Sequence, residues 1–211
     1  MTAPRPEDAR LRRDCPVVPR RTALLLVDVQ NDTHNERFAT SHPYFYRRCE
    51  SVVLPNLRRL IDASRTAGVE VIYTVIENLT ADGRDRSLDY KLSGFFVPRG
   101  SWEAQVVDAV TPGPDDIVLP KTSSSLFNST NFEYLLRNIG IEHIAVTGFL
   151  TDQCVDQTVR DGADRGFYSI CIEDACATHT EERHESALRL FGGYCRRVTT
   201  DDFIAELAGG E

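Results

Sequence analysis

The 211-residue sequence has no long hydrophobic run. Its first apolar stretch follows the paired arginines Arg20 and Arg21, covers residues 23–27, and stops at Asp28. A membrane span needs roughly 20 apolar residues, and the core of an export signal is also longer than this stretch, so we expect neither. Internal repeats, low-complexity segments and a Gly-rich phosphate loop are also lacking. These absences argue against a repeat protein and against a P-loop nucleotide-binding protein.

Positive charge is in short supply, because 24 Lys and Arg stand against 32 Asp and Glu, a net charge of −8. Nucleic-acid binding needs a concentrated positive face, so we predict no nucleic-acid partner, and we predict no membrane partner. The exception is residues 1–21, which are rich in Pro and Arg and carry a net +3, leaving −11 on the rest. We therefore predict a basic N-terminal arm over 1–21, either disordered alone or packed on a partner subunit, and one compact domain over 22–211.

The six cysteines show no zinc-site spacing and no paired pattern of a small disulfide scaffold. They are scattered, at positions 15, 49, 154, 171, 176 and 195. A chain of this length builds its own core without disulfide bonds, so we predict reduced thiols and a cytoplasmic protein.

Short β-branched runs alternate with longer helical patterns along residues 22–211. The predicted strands are 22–27, 69–75, 116–119, 143–147, 168–172 and 197–199. One helix is predicted to end at Ala67-Gly68, and a second to begin at a capping box formed by Thr130 and Glu133. Two more are predicted over about 152–165 and 180–190. Several strands are apolar without alternation, as in parallel sheets covered on both faces. The sequence therefore predicts an α/β fold with three αβα layers and a central, mostly parallel, Rossmann-like six-stranded sheet.

Three chemically useful side chains follow three of the predicted strands. Asp28 follows the first strand and Lys121 follows the third. Cys154 follows a turn that comes after the fourth strand. The carboxyl ends of parallel strands share one edge of the sheet, so these side chains should converge there. A partly buried carboxylate suits proton transfer. With Thr151 as N-cap, Cys154 would sit in the first helical turn, where the helix dipole lowers a thiol pKa. The alternatives are an aspartate that caps a turn, an exposed lysine and a structural thiol.

The segments LLLVDVQND, LPKTSSSLF and VTGFLTDQCV resemble the isochorismatase-like cysteine hydrolases, and the resemblance runs from about Thr22 to Ala208. It implies that Asp28 is the general acid/base, Lys121 the catalytic lysine and Cys154 the nucleophile. It also implies a non-proline cis peptide bond between Phe149 and Leu150. The backbone amides of Leu150 and Cys154 look like the family's oxyanion hole.

The resemblance implies an amidohydrolase that cleaves a ureido or carbamoyl amide, or a lactam, through a Cys154 thioester. Isochorismatases proper lack this cysteine. Neither His34-Asn35-Glu36 nor Ser41-His42-Pro43, in the region after the first strand, matches the Asp-x-His metal motif of nicotinamidases, so we expect no metal and no cofactor. A lactam of a cationic antibiotic such as streptothricin is an alternative substrate. A non-catalytic small-molecule-binding protein or a thiol-redox protein is an alternative function. The family also implies a homo-oligomer, either a dimer or a tetramer.

Residues 77–100 form a long connection, which in a compact domain is usually a lid or a binding loop. Glu77 and Asn78 directly follow the second predicted strand and are predicted substrate contacts. The other predicted substrate contacts are Gln30, Tyr90, Ser124 and Phe149.

Overall fold

The computed structural model describes residues 12–209, and a six-stranded parallel sheet forms their centre. The strand order is β3-β2-β1-β4-β5-β6, and every neighbouring pair is parallel. The strands are β1 (Thr22–Val27), β2 (Glu70–Ile76), β3 (Ile117–Lys121), β4 (His143–Phe149), β5 (Tyr168–Ala177) and β6 (Arg196–Val198). The predicted α/β sheet is confirmed, and it is parallel throughout.

Helices cover both faces of the sheet. They are α1 (Glu36–Ser41), α2 (Pro43–Arg48), α3 (Leu54–Ala67), α4 (Leu88–Leu92), α5 (Leu126–Ser129), α6 (Phe132–Asn138), α7 (Asp156–Asp164), α8 (Glu181–Phe191) and α9 (Thr200–Gly209). One core lies between the sheet and α2, α3 and α9, and a second lies between the sheet and α5 to α8. This arrangement makes the three layers.

Strand β1 shows why the apolar runs do not alternate. All six of its residues are buried. Leu24 and Leu26 belong to the core under α3, whereas Leu25 and Val27 belong to the core on the opposite face. A strand that is covered on both sides needs apolar residues at every position.

Strand β5 is longer than its sequence pattern indicates. It was expected to end at Ile172 but continues to Ala177, across a register shift against β4 between Val146 and Gly148. Cys176 is therefore a buried strand residue. The carboxyl end of β5 moves forward to Thr178 and His179.

The predicted capping box of Thr130 and Glu133 is wrong. Helix α6 begins at Phe132 after Asn131, so Glu133 is its second residue and is one position too early to reach back to the cap. Glu133 instead forms an ion pair with Arg165, 2.8 Å away. The short α5 occupies the chain just before this point, and Thr130 bonds back to the carbonyl of Leu126.

Residues 1–11 of the predicted arm lie outside the described residues. Of its remainder, Pro19–Arg21 form a short 3-10 helix. Val17 is buried in the core of its own chain, and its amide donates to Glu206 Oε1 on α9 at 2.7 Å. Within residues 12–209, no helix is both long and apolar enough to cross a membrane.

Candidate active site

The centre of the sheet provides the crevice where the site is built. In the order 3-2-1-4-5-6 the chain winds outward in opposite directions from β1 and β4. Ligands of open α/β sheets bind at this switch point, beyond the carboxyl ends of the strands. Asp28 directly follows β1, and Cys154 lies in the turn that follows β4. The two residues therefore lie at this switch point.

Asp28 is held in an unusual backbone conformation. Its φ of 54° is in the left-handed region, and it is the one non-glycine residue of the described chain with a positive φ. Such a conformation costs of order 1–3 kcal/mol and persists where surrounding contacts enforce it. Here the amide of Asp28 donates to the Thr74 carbonyl at 3.1 Å. The Thr74 hydroxyl donates to Asp28 Oδ1 at 2.8 Å, which leaves Oδ2 for the other catalytic groups.

Gly148 allows β4 to approach the end of β1 beside Asp28. Its φ is 104°, and a Cβ at this position would lie 2.2 Å from the carbonyl oxygen of Val27. No other residue type fits so close an approach. Gly148 is therefore required for contact between the two central strands.

Lys121 joins the acid and the thiol. Its ammonium lies 2.8 Å from Asp28 Oδ2 and 3.4 Å from Cys154 Sγ. It also donates to the carbonyl oxygen of Ser123 at 2.8 Å. The lysine side chain is fully buried, and Asp28 and Cys154 are nearly so. The three side chains predicted to converge are therefore in contact.

The electrostatics of this cluster keep the lysine charged and the thiol protonated. Burial alone would lower the pKa of Lys121, but the nearby Asp28, Cys154 and Tyr90 outweigh it and raise that pKa. Burial, with Asp28 adding to its effect and Lys121 opposing it, raises the pKa of Cys154 to about 12. The predicted lowering of the Cys154 pKa is wrong, because desolvation exceeds the help from the helix start and the lysine.

A π-helical turn, Thr151–Val155, carries the thiol and leads into α7. Leu150 is its N-cap, and Thr151, which we expected to be the cap, is the first residue inside the turn. The buried Thr151 hydroxyl instead bonds His184 Nδ1 at 2.9 Å. Arg48 lies 3.0 Å from His184 Nε2. An arginine only donates, so Nε2 accepts and Nδ1 carries the proton given to Thr151. This chain of bonds fixes the turn from behind.

The peptide bond between Phe149 and Leu150 is cis, as the resemblance implies. Directly after it, the Leu150 carbonyl accepts hydrogen bonds from the amides of Gln153 at 3.0 Å and Val155 at 3.3 Å. Leu150 and Cys154 both line the cavity described next. The assignment of their amides as an oxyanion hole stays a prediction.

A cavity of about 320 Å³ opens above the thiol. Most of the surface of its walls is apolar, although at least half of the fourteen lining residues have polar or charged side chains. They comprise Asp28, Thr33, Phe38, Ile76, Asp89, Tyr90, Ser93, Phe95, Ser124, Phe149, Leu150, Gln153, Cys154 and His179. Lys121 is not among them, so it acts on Asp28 and Cys154 from behind.

Tyr90, Ser124 and Phe149, three of the six predicted substrate contacts, line this cavity. The Ser124 hydroxyl lies 3.4 Å from that of Tyr90. Burial is the main reason that the pKa of Tyr90 is raised, so its hydroxyl is neutral.

The other three predicted contacts lie outside the cavity lining. The Gln30 amide is used within the protein, because it donates to the carbonyls of Ile76 and Glu103 and accepts from the Ile76 amide. Glu77 accepts from the Gly100 amide at 2.6 Å. Asn78 is buried, and its backbone bonds to Val97. These residues shape the edge of the sheet and the long connection.

Eight residues of the lining were not predicted as site residues. They are Thr33, Phe38, Ile76, Asp89, Ser93, Phe95, Gln153 and His179. His179 is the second residue after the true end of β5, so a search beyond the strand ends would have reached it if the strand had been given its full length. Burial, together with His42 and Arg183, lowers the pKa of His179 to about 4, so it is neutral near pH 7. Asp89 belongs to the long connection that was predicted to be a lid or a binding loop, whereas Phe38 carried no sequence signal.

Within residues 12–209, no three His, Cys, Asp or Glu side chains come close enough together to share a metal ion. All six cysteines are free, and five of them are buried.

The chain is similar to known proteins along most of its length. The isochorismatase domain family matches residues 22–202. The ureidoacrylate amidohydrolases RutB of Pantoea ananatis and of Serratia proteamaculans are each 33% identical over 175 residues, covering 74% of this chain and 69% and 70% of theirs.

Solved structures share the fold. A cysteine hydrolase from Pseudomonas syringae superposes with a TM-score of 0.83 at 24% identity, over 93% of this chain and 96% of its own. N-carbamoylsarcosine amidase from Thermoplasma acidophilum superposes with a TM-score of 0.70 at 26% identity, over 86% and 97%. The chain belongs to the isochorismatase family, in its amidohydrolase branch of hydrolases acting on carbon–nitrogen bonds other than peptide bonds.

Proposed function

We propose that the protein is a metal-independent cysteine amidohydrolase that cleaves a C–N amide bond of a small molecule through a thioester on Cys154. The observation that carries this proposal is the buried contact of Asp28, Lys121 and Cys154 at the floor of the cavity. It combines a nucleophile, a proton acceptor and a fixed positive charge, which are the parts that acyl transfer needs.

The first half of the reaction begins with a protonated thiol. Because the pKa of Cys154 is raised to about 12, a proton acceptor has to act as the sulfur attacks. Asp28 takes the thiol proton while Cys154 Sγ forms a bond to the carbonyl carbon, whose oxygen becomes an oxyanion. Lys121, kept charged behind both groups, stabilises the negative charge that passes from the carboxylate to the sulfur as the proton moves, and that returns when Asp28 gives the proton up.

The second half releases the two products. The oxyanion collapses, the C–N bond breaks, and Asp28 returns its proton to the leaving amine or ammonia. A water molecule then gives a proton to Asp28 and attacks the thioester carbon. The C–S bond breaks, the sulfur takes the proton back, and the acid leaves. The backbone amides of Leu150 and Cys154 are the proposed donors to the oxyanion in both halves.

Ureido and carbamoyl compounds are the leading substrate class. The amidohydrolase and amidase relatives are named for ureidoacrylate and N-carbamoylsarcosine, both of which contain a carbamoyl group on nitrogen. A volume of about 320 Å³ suits a small amide held between aromatic walls. A lactam is the second candidate, because the same attack on a cyclic amide leaves the amine attached to the acyl product.

The thiol-redox alternative fits the site poorly. A redox-sensing cysteine is accessible and has a low pKa. Cys154 is only 5% exposed, and its pKa is raised. The alternative of a non-catalytic binding protein leaves unexplained why a buried ion pair is placed against a thiol.

An ammonia- and amine-release screen tests the proposal. The substrates are ureido acids, carbamoyl amino acids, nicotinamide and antibiotic lactams, and the Cys154→Ala protein is the blank. We expect turnover by the wild type of at least one ureido, carbamoyl or lactam compound and none by the variant, with equal thermal unfolding midpoints. Undiminished turnover by the variant would overturn the mechanism, and no turnover of any compound would overturn the function. Activity that survives extensive chelation supports metal independence.

A further inference from the structure

A second hollow, of about 500 Å³, lies beside the catalytic cavity and shares Asp89 and Ser124 with it. The two differ in chemistry. Aromatic and aliphatic side chains dominate the catalytic cavity, whereas hydroxyl, amide and carboxylate side chains line almost all of the second hollow. A ligand whose amide sits over Cys154, and which is long enough to extend beyond Asp89 and Ser124, would therefore meet a polar surface.

The carboxylate of Asp89 is available to a ligand. Asp89 is exposed, and in the described part of the chain its carboxylate makes no hydrogen bond or ion pair. The other carboxylate of the hollow, Asp85, accepts bonds from the amides of Leu79 and Thr80, and hydrogen bonding to Thr80 and to these amides lowers its pKa despite its partial burial. Hydrogen bonds thus occupy the carboxylate of Asp85, whereas the carboxylate of Asp89 is free of them within residues 12–209.

No positive side chain balances these carboxylates. Among residues 12–209, neither hollow has an arginine or a lysine in its lining. Three cations of the long connection, Arg84, Arg86 and Lys91, bond elsewhere, and Lys91 donates to the carbonyl of Arg84 at 2.7 Å. Arg84 pairs with Asp82 at 3.1 Å. Arg86 donates to the carbonyls of Gly83 and Phe95. A carboxylate group of a substrate would therefore lie near the carboxylates of Asp85 and Asp89 without a positive side chain to pair with.

Two neutral groups complete the hollow. The side-chain amides of Asn128 and Gln157 are exposed, and neither makes a hydrogen bond within the described residues. They can donate to hydroxyl and carbonyl groups of a ligand and accept from its N–H groups. The polar surface is therefore suited to hydroxyl-bearing and ammonium-bearing groups.

We propose that this hollow is a binding subsite for the remote end of the substrate, and that it selects an amide bearing an ammonium or hydroxyl group over one bearing a carboxylate. Asp89 determines this specificity at the wall between the two hollows. The inference rests on the proposed amidohydrolase function and adds the charge class of its substrate. It distinguishes this chain from the relatives named for ureidoacrylate and N-carbamoylsarcosine, which are carboxylates.

Three ureas of matched length test the proposal: 4-aminobutylurea, 4-hydroxybutylurea and 4-ureidobutyrate. We expect kcat/KM to fall in that order, with the ammonium compound about 10-fold above the carboxylate compound, as expected for a partly solvated charge near Asp89. The ratio should shrink toward one at high salt. A preference for 4-ureidobutyrate would overturn the subsite while leaving the amidohydrolase function intact.

Variants locate the effect. Asp89→Asn should bring the ammonium-to-carboxylate ratio close to one, and Asp89→Lys should reverse it. Asp115→Asn is the matched control, since Asp115 is an exposed carboxylate outside both hollows, and it should leave the ratio unchanged. An unchanged ratio in both Asp89 variants would contradict the assignment.

Substrate length supplies an independent measurement. Asn128→Leu should raise KM for 4-hydroxybutylurea more than it raises KM for methylurea, which is too short to reach the hollow. Equal effects on both ureas would contradict a remote subsite. If no urea is hydrolysed, dissociation constants of the three matched ureas for Cys154→Ala replace kcat/KM. The same order then supports the subsite even though hydrolysis of ureas has failed, and the reverse order overturns it.

Discussion

The floor of the cavity and its outer wall are built in opposite ways. At the floor, the charges of Asp28 and Lys121 are buried and 2.8 Å apart, and the thiol of Cys154 touches the lysine. At the outer wall, Asp89 is exposed and has no partner in the described part of the chain. The charged side chains at the floor pair with each other, whereas Asp89 at the wall is left to bind a ligand.

The difference separates reaction from selectivity. A buried charge that loses its partner is strongly destabilising, so neither Asp28 nor Lys121 can be replaced alone without loss of both stability and activity. An exposed side chain on a short helix such as α4 can be exchanged at small cost to stability. We therefore expect substitutions of the buried ion pair to act on kcat and unfolding together, and wall substitutions to act on the choice of substrate.

The largest effect is expected for Lys121→Met. It leaves the carboxylate of Asp28 buried without its partner, which should lower the free energy of unfolding by about 3–5 kcal/mol and nearly abolish turnover. Urea denaturation measures the loss. In Asp28→Asn/Lys121→Met the buried charge is gone, so stability should recover in part while activity does not. Recovery of activity in the double variant would contradict a catalytic role for the pair.

Thr151→Val tests the bonds behind the thiol. The change leaves His184 Nδ1 buried without an acceptor, which should cost about 1–3 kcal/mol of stability. Because the turn that carries Cys154 loses its fixed position, kcat should fall more than KM changes. Thr66→Val on the exposed side of α3 is the control. Equal effects of the two variants on kcat would show that His184 does not position the turn.

Alkaline pH should weaken the fold through its buried thiols. Burial raises the pKa of Cys154 and of Cys195 to about 12, from 9 in the unfolded chain. The folded state therefore holds protons that the unfolded state loses, and stability falls as pH rises from about 9 toward 12. The thermal unfolding midpoint between pH 7 and 10.5 measures this, and Cys154→Ala should make its fall shallower. A midpoint that rises with pH would contradict the burial of the thiols.

The smallest effect is expected at the wall, for Ser124→Ala. Its hydroxyl makes one long contact, 3.4 Å to Tyr90, so KM should change by less than about 5-fold and stability by less than about 0.5 kcal/mol. Steady-state kinetics with the best amide of the screen measures it. A loss of kcat as large as that of Lys121→Met would erase the distinction between floor and wall.

The sequence was most informative where chemistry and topology coincide. Asp28, Lys121 and Cys154 each follow a strand, and a parallel sheet brings strand ends together whatever the side chains between them. That rule needs only the order of elements. It could not provide the pKa of Cys154, because desolvation depends on how completely the surrounding chain covers the thiol.

The wall was harder to predict for two physical reasons. The end of β5 depends on a register shift against β4, which no local pattern reveals, and His179 was missed as a result. The long connection folds back through contacts such as that of Glu77 with Gly100. The path of the chain, rather than its composition, therefore decides which residues face the cavity. Gln30 illustrates the same limit, since its amide closes backbone bonds of β2.

The central claim is that Cys154 forms the covalent intermediate at the floor of the cavity. Rapid-quench mass spectrometry with the best amide of the screen tests it most directly. We predict a transient mass increase equal to the acyl group on the peptide that contains Cys154, formed and lost at rates compatible with kcat and absent in Cys154→Ala. Full turnover with no adduct on this peptide, together with activity of Cys154→Ala within 10-fold of the wild type, would contradict it.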